Sequence, residues 1–220
     1  MVKSFKFLFQ FAWVNLAAVL GFAAAVTLGA YTTGVPNGAE NIFRTYFGSF
    51  PFTALIMVFI FAFALCTSNL NTALSFGGRR QDYFWALQAI ILVYTGVCWA
   101  LQIVMSAIPV VFHWEEVDYW TVLMSLGTSS SWLYPLVLLS IMSLGCMCGL
   151  ASARSKVLGV ILFSVAMVAF MAALVLLLLG SGHTIGLWGC LPMILVLVTL
   201  AVFAVSEVFI WRTIHRYVVR

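Results

Sequence analysis

His113, Glu115, Glu116 and Asp118 fall close together in the stretch HWEEVDYW, and one imidazole with three carboxylates is a donor set that suits a divalent cation. A solvated acidic loop is the simpler reading of the same residues, and no resident metal is expected. Ser129, Ser130 and Ser131 could supply a nucleophilic hydroxyl, but hydrolysis needs a base within reach. His113 and His183 lie in two loops on one side of the chain's apolar segments and His215 lies on the other, so His215 cannot meet them. The three serines sit where an apolar helix begins and read as a cap. Cys66, Cys98, Cys146, Cys148 and Cys190 are scattered within or at the ends of apolar runs, and Cys146 and Cys148 point to different faces of a helix. They read as small apolar packing residues. No catalytic residue is expected.

A second group of polar residues interrupts the apolar runs themselves. Asn15, Asn69, Asn71, Gln88 and Gln102 would be costly against lipid, so they should face other helices, as interhelical glue or along a translocation path. Glu207 lies about a turn and a half before Arg212 and predicts pairing with an arginine at that end; a proton relay is the alternative. Met167 and Met171 share a helical face, where packing and an adaptable path for an amphipathic cargo are both open readings.

The elements that must position these residues follow from composition. The chain has 220 residues, of which 65% are hydrophobic, 15% aromatic and only 7% charged, which is more apolar surface than one soluble core of this length can hide. The sequence predicts an all-α integral membrane protein, because lipid offers no partner to an unpaired backbone group and the alternation of a membrane strand is absent. Six spans are expected, at about residues 9–31, 52–75, 86–111, 132–152, 157–179 and 190–211. They form a single transmembrane domain over residues 1–220, with neither an internal repeat nor a linker. The first apolar segment reads as a retained span, since it is long for a signal peptide and has no persuasive cleavage site.

Charge orients these spans. Lys3, Lys6, Arg79, Arg80, Arg154, Lys156, Arg212, Arg216 and Arg220 fall on one side of a six-span arrangement, leaving only Arg44 opposite. Glu40, Glu115, Glu116 and Asp118 lie on the side of Arg44, while Asp82 and Glu207 stay with the basic face. Positive charge gathers on the cytoplasmic side, so both termini and the two short basic loops are expected there, in a multi-pass protein of the plasma membrane. The basic balance reflects this asymmetry and does not point to nucleic acid.

One of those loops, in NTALSFGGRRQDYFWALQ, concentrates charge in a chain that otherwise avoids it. Gly77 and Gly78 can close the second span, since glycine accepts the left-handed cap. Asp82 suits the first turn of a new helix, where its carboxylate meets the positive end of the dipole. Tyr83, Phe84 and Trp85 suit headgroup depth. A short interfacial helix between spans two and three is expected, with Arg79, Arg80 and Gln81 outward. On its own terms the pair of arginines could also be no more than the anchor of a hairpin.

The order in LSFGGRRQDYF resembles the first cytoplasmic loop of the type 2 ABC-transporter membrane-subunit (permease) family, where a run like lsfGxtRkxff is often met. Six spans with both termini inside also resemble that family. The resemblance implies that Gly77, Gly78, Arg79, Arg80, Gln81, Asp82, Tyr83 and Phe84 form a coupling helix that docks on a separate ATP-binding subunit. It also implies a homodimer or a pair with a similar membrane subunit. The N-terminal MVKSFKFLFQFAW is short for the amphipathic helix the family often carries, and the connection between spans five and six is short for its outer re-entrant helices. No G-x-x-x-x-G-K-[ST] phosphate loop occurs, so ATP and Mg are expected on the partner and this chain is not expected to be an enzyme. The expected function is a permease subunit of an ATP-driven transporter, of exporter direction because no feature for docking an external binding protein is found. The alternative is a non-transporting membrane interaction, assembly or sensor partner, in which the basic loop would only anchor. The substrate is not encoded in any motif.

Overall fold

The computed structural model describes residues 2–32, 39–75, 79–111, 133–180 and 191–216, and every element among them is helical. The elements are α1 (Val2–Thr32), α2 (Ala39–Ala64), a π-helical segment (Leu65–Asn69), α3 (Leu70–Ser75), α4 (Arg80–Val111), α5 (Leu133–Arg154), α6 (Lys156–Gly180) and α7 (Leu191–Arg216). Among the described residues, five stretches are long and apolar enough to cross a membrane: Ser4–Gly29, Thr53–Ser75, Arg80–Met105, Leu133–Arg154 and Val196–His215. The region expected as a fifth span is helical over Lys156–Gly180, with a described apolar stretch at Lys156–Ala169.

The second span, expected at about 52–75, matches the apolar stretch Thr53–Ser75, but the helix that carries it starts earlier: α2 begins at Ala39 and holds Pro51 inside it, so the run before Pro51 is not a loop. Neighbouring hydroxyls bond at that level: Thr53 Oγ1 donates to the Phe50 carbonyl at 3.0 Å, and the Tyr134 hydroxyl donates to the Pro51 carbonyl at 3.3 Å. The short interfacial helix expected before span three is likewise not a separate element. Arg80 through Val111 is one continuous helix, so Asp82 occupies the first turn of the span itself.

The central helix is α5, which packs against α2, α4, α6 and α7, while α1 closes against α2 and α4. Leu138, Met142, Cys146 and Leu150 recur at four-residue spacing on α5 and are fully buried. They join Leu65, Leu70, Tyr83, Leu87, Ile90 and Ile210 in the main apolar cluster. The approach of α5 to α2 is set by Gly145 and Gly149. A Cβ at Gly145 would stand 2.7 Å from the Phe59 carbonyl oxygen and 2.8 Å from the Ala62 Cβ, and one at Gly149 would stand 2.5 Å from the Phe63 carbonyl oxygen. This is the small-residue contact that lets membrane helices meet backbone to backbone, since lipid supplies no hydrophobic drive for helices to associate.

The outside of the bundle is apolar too. Trp13, Val14, Leu28, Leu92, Val104, Val157, Val160, Leu197 and Val205 are all exposed on their helices. Water would penalise such a surface, whereas hydrocarbon would not. At one end, Phe84 meets Trp211 edge-on at 4.9 Å and Trp211 lies 4.0 Å from the His215 ring, tying the start of α4 to the end of α7.

Candidate functional site

Two groupings of the residues singled out above take definite form, one at the start of α4 and one between α4, α5 and α7.

At the start of α4, Arg79 precedes the helix and Arg80 opens it, and the Arg79 carbonyl accepts the Tyr83 amide at 3.0 Å. Arg79, Arg80 and Gln81 are exposed and Asp82 is half-buried. Gly77 and Gly78 lie outside the described residues. Tyr83 and Phe84 do not lie at a surface as headgroup anchors; both are buried, and of the three aromatic residues only Trp85 is exposed. The reason is geometric. A helix that starts at Arg80 and packs against neighbours turns Tyr83 and Phe84 inward within its first turn and a half, leaving Trp85 on the outer side.

Tyr83 is the mechanical link of this end. Its hydroxyl donates to the Leu65 carbonyl at 2.6 Å, at the first residue of the π-helical segment. Where the α pattern loosens to a π turn, a carbonyl is more easily shared with an outside donor, and such turns recur at functional sites. The segment holds further local bonds: Thr67 Oγ1 donates to the Phe63 carbonyl at 3.0 Å and Ser68 Oγ to the Ala64 carbonyl at 3.1 Å. The exposed arginines are thus a few residues from a buried bond between α4 and the one irregular turn of the preceding rod.

Between α4, α5 and α7 the centre is Glu207 of α7, which is half-buried. Gln88 Nε2 on α4 donates to its Oε2 at 2.5 Å, and Ser143 Oγ on α5 donates to its Oε1 at 2.8 Å. The expected pairing of Glu207 with an arginine is not what forms. Arg212 stands about a turn and a half further along α7 and is exposed, whereas Gln88 and Ser143 approach from the two helices packed against this one. Ser140 continues the contact, with its Oγ 2.9 Å from the Thr199 carbonyl of α7.

The other polar residues are spread through the bundle. Asn15 of α1 donates from Nδ2 to the Met57 carbonyl at 3.4 Å and accepts the Tyr94 hydroxyl, which is interhelical glue between α1, α2 and α4. Asn69 is half-buried in the π segment and accepts Ser68 Oγ at 3.4 Å, while Asn71 is exposed, with its Nδ2 3.5 Å from the Thr67 carbonyl. Gln102 is 6% exposed, and its Oε1 has no hydrogen-bond partner. These residues sit on several helices, and Gln88 is the one seen above to reach the Glu207 carboxylate.

Cys66, Cys98, Cys146 and Cys148 are buried free thiols. Cys66, in the π-helical segment, packs against α5, where its Cβ would stand 2.9 Å from a Cβ added at Gly149. Among the described residues no three His, Cys, Asp or Glu side chains gather as a metal site. His113, Glu115, Glu116, Asp118, Ser129, Ser130, Ser131, His183 and Cys190 lie outside the described residues. Three contributors carried sequence signals that the spacing of charges and amides did not expose. Gly145 and Gly149 form a G-x-x-x-G, and Ser143 lies on the side of α5 away from them.

Comparison with known protein families, with characterised proteins and with solved structures gives no match.

Proposed function

We propose that the chain is the membrane-spanning permease subunit of an ATP-driven transporter, with six spans, both termini cytoplasmic and a separate ATP-binding subunit docked at the start of α4. Its site is the plasma membrane and its direction export. The observation that carries this reading is the combination of exposed Arg79 and Arg80 with the buried Tyr83 bond to Leu65. A docking surface that only held a partner would need the first alone. A coupling surface also needs a stiff connection, and here the helix that begins at Arg80 runs unbroken to Val111.

Force applied to the exposed turn would pass along α4 and, through Tyr83, into the π turn of the preceding rod. It would also reach α7 through Phe84 and Trp211. Two copies, or one copy with a similar subunit, would place two such turns beside two ATP-binding subunits, and ATP and Mg would be held there. The resemblance of LSFGGRRQDYF to the first cytoplasmic loop of type 2 ABC permeases supports the same assignment.

The test is purification of the intact chain from its own membranes, as wild type and as Arg79→Ala with Arg80→Ala. A phosphate-loop ATPase should accompany the wild type and be lost at least about tenfold from the double variant, because truncating one side of a partly desolvated charge contact costs about 2 to 5 kcal/mol. Co-purification of the ATPase at undiminished yield with the variant, or its absence from the wild type, would refute the docking assignment.

A further inference from the structure

We propose that the half-buried Glu207 is a proton-binding site between α4, α5 and α7, at which the carboxylate takes up and gives back one proton while its two partners exchange hydrogen-bonding roles. The inference does not depend on ATPase docking, and it concerns a different part of the molecule.

The partners make the case. A carboxylate within an apolar span is costly unless its charge is compensated, and the usual compensation is a lysine or arginine. No described lysine or arginine pairs with Glu207; its two oxygens are taken by a neutral amide and a neutral hydroxyl. Arginine and lysine only donate, so they hold a carboxyl in its ionised form. An amide and a hydroxyl can each do both. With Glu207 ionised, Gln88 Nε2 and Ser143 Oγ donate, as observed. With Glu207 protonated, its new O–H donates either to Ser143 Oγ after the hydroxyl rotates, or to Gln88 Oε1 after the amide turns over. Both protonation states therefore keep their hydrogen bonds in the same backbone frame. The step is balanced by water: one hydronium ion gives its proton to the carboxylate and leaves as water, and the charge of the site goes from −1 to zero.

A second observation concerns two buried hydroxyls on the same two helices. Ser206, next in the chain, is 1% exposed and its Oγ has no partner, and Thr95 is 5% exposed with an unpartnered Oγ1. Thr95 lies on the same face of α4 as Gln88, seven residues or about 10 Å further along the helix. Buried unpaired hydroxyls are uncommon because each forfeits a hydrogen bond, and they suit a place where a water or a migrating proton is accommodated. Other titratable groups on these helices are Cys146 on α5, three residues past Ser143, Arg80 and Asp82 in the first turn of α4, and Arg212 and His215 further along α7.

Infrared difference spectra of the full chain in lipid bilayers, taken across about pH 4 to 9, test this directly. Wild type should gain one carboxylic-acid carbonyl band on acidification that exchanges slowly in heavy water. Glu207→Gln, which resembles the protonated form in shape and hydrogen bonding, should lose that band, and Asp82→Asn should keep it. Ser143→Ala leaves the carboxyl in place and should shift the band's frequency, so the assignment survives even if Glu207→Gln folds poorly. Persistence of the band in a folded Glu207→Gln protein, or a wild type with no such band, would overturn the proposal. Suppression of the band by Na+ or K+ at fixed acid pH, with a bulky organic cation inert, would overturn it in favour of a metal-cation site.

Discussion

Tyr83 shows how one side chain can join a surface turn to the interior. Its hydroxyl bond to Leu65 is buried on both sides, so removing the oxygen leaves the carbonyl with one acceptor position unfilled. Tyr83→Phe should lower stability by about 0.5 to 2 kcal/mol, the range measured for hydrogen bonds between membrane helices and for buried bonds generally. Unfolding of the purified protein by SDS in mixed micelles reads this, and no change would mean that the bond has no stabilising role. The residue scale is also where sequence reasoning is weakest. Arg79 and Arg80 read correctly as outward because charge alone demands it, and Gln81 reads outward with them as a neutral polar neighbour. Tyr83 and Phe84 read as headgroup anchors because an aromatic ring fits an interface and a core equally well, and only the packing of α4 against its neighbours decides between them. Glu207 and Gln88 are 119 residues apart in sequence, and nothing local connects them.

At the scale of elements, Gly145 and Gly149 fix how close α5 comes to α2. A methyl group at Gly149 would meet the Phe63 carbonyl oxygen at 2.5 Å, and backbone cannot move aside as a flexible side chain can. Gly149→Ala should therefore force the helices apart and cost about 1 to 3 kcal/mol. Gly96 has nothing within 4 Å, so Gly96→Ala should change stability by less than about 1 kcal/mol and in the favourable direction. The two variants add the same single carbon, and equal effects in the same SDS titration would show that helix contact is not what Gly149 provides. Helix positions were readable at this scale. The expected fourth span, about 132–152, lies within two residues of Leu133–Arg154 at each end, because apolar length and flanking polar residues mark a span in the chain itself. The helical run before Pro51 and the π turn were not readable. The first lies among residues that suit a loop, with glycine and proline inside it, and the second has no composition of its own.

For the whole molecule, the open quantity is orientation. The nine-to-one division of basic residues predicts that Asn37 and Asp118 face outside and Gln81 faces the cytoplasm. The buried thiols make the experiment simple: Cys66, Cys98, Cys146 and Cys148 are each 0% exposed, so only Cys190 needs replacing by alanine before a single cysteine is introduced. An impermeant thiol reagent on intact cells should label cysteines at positions 37 and 118 and spare one at position 81. Labelling at position 81 would invert the orientation and with it the proposed docking side.

The π turn at Leu65–Asn69 also bears on how the chain could change in length. A π turn is an α-helix with one residue to spare, and the helix on either side of it keeps its own facing. Losing a residue there would return the rod to plain α geometry without turning Leu70, which is fully buried, away from the core. Losing a residue earlier in the rod would swing everything beyond it by about 100° and carry Leu70 out of its place. A deletion scan through residues 53–69 should find its tolerated positions confined to 65–69, which would make this turn the place where deletions accumulate as such a chain diverges.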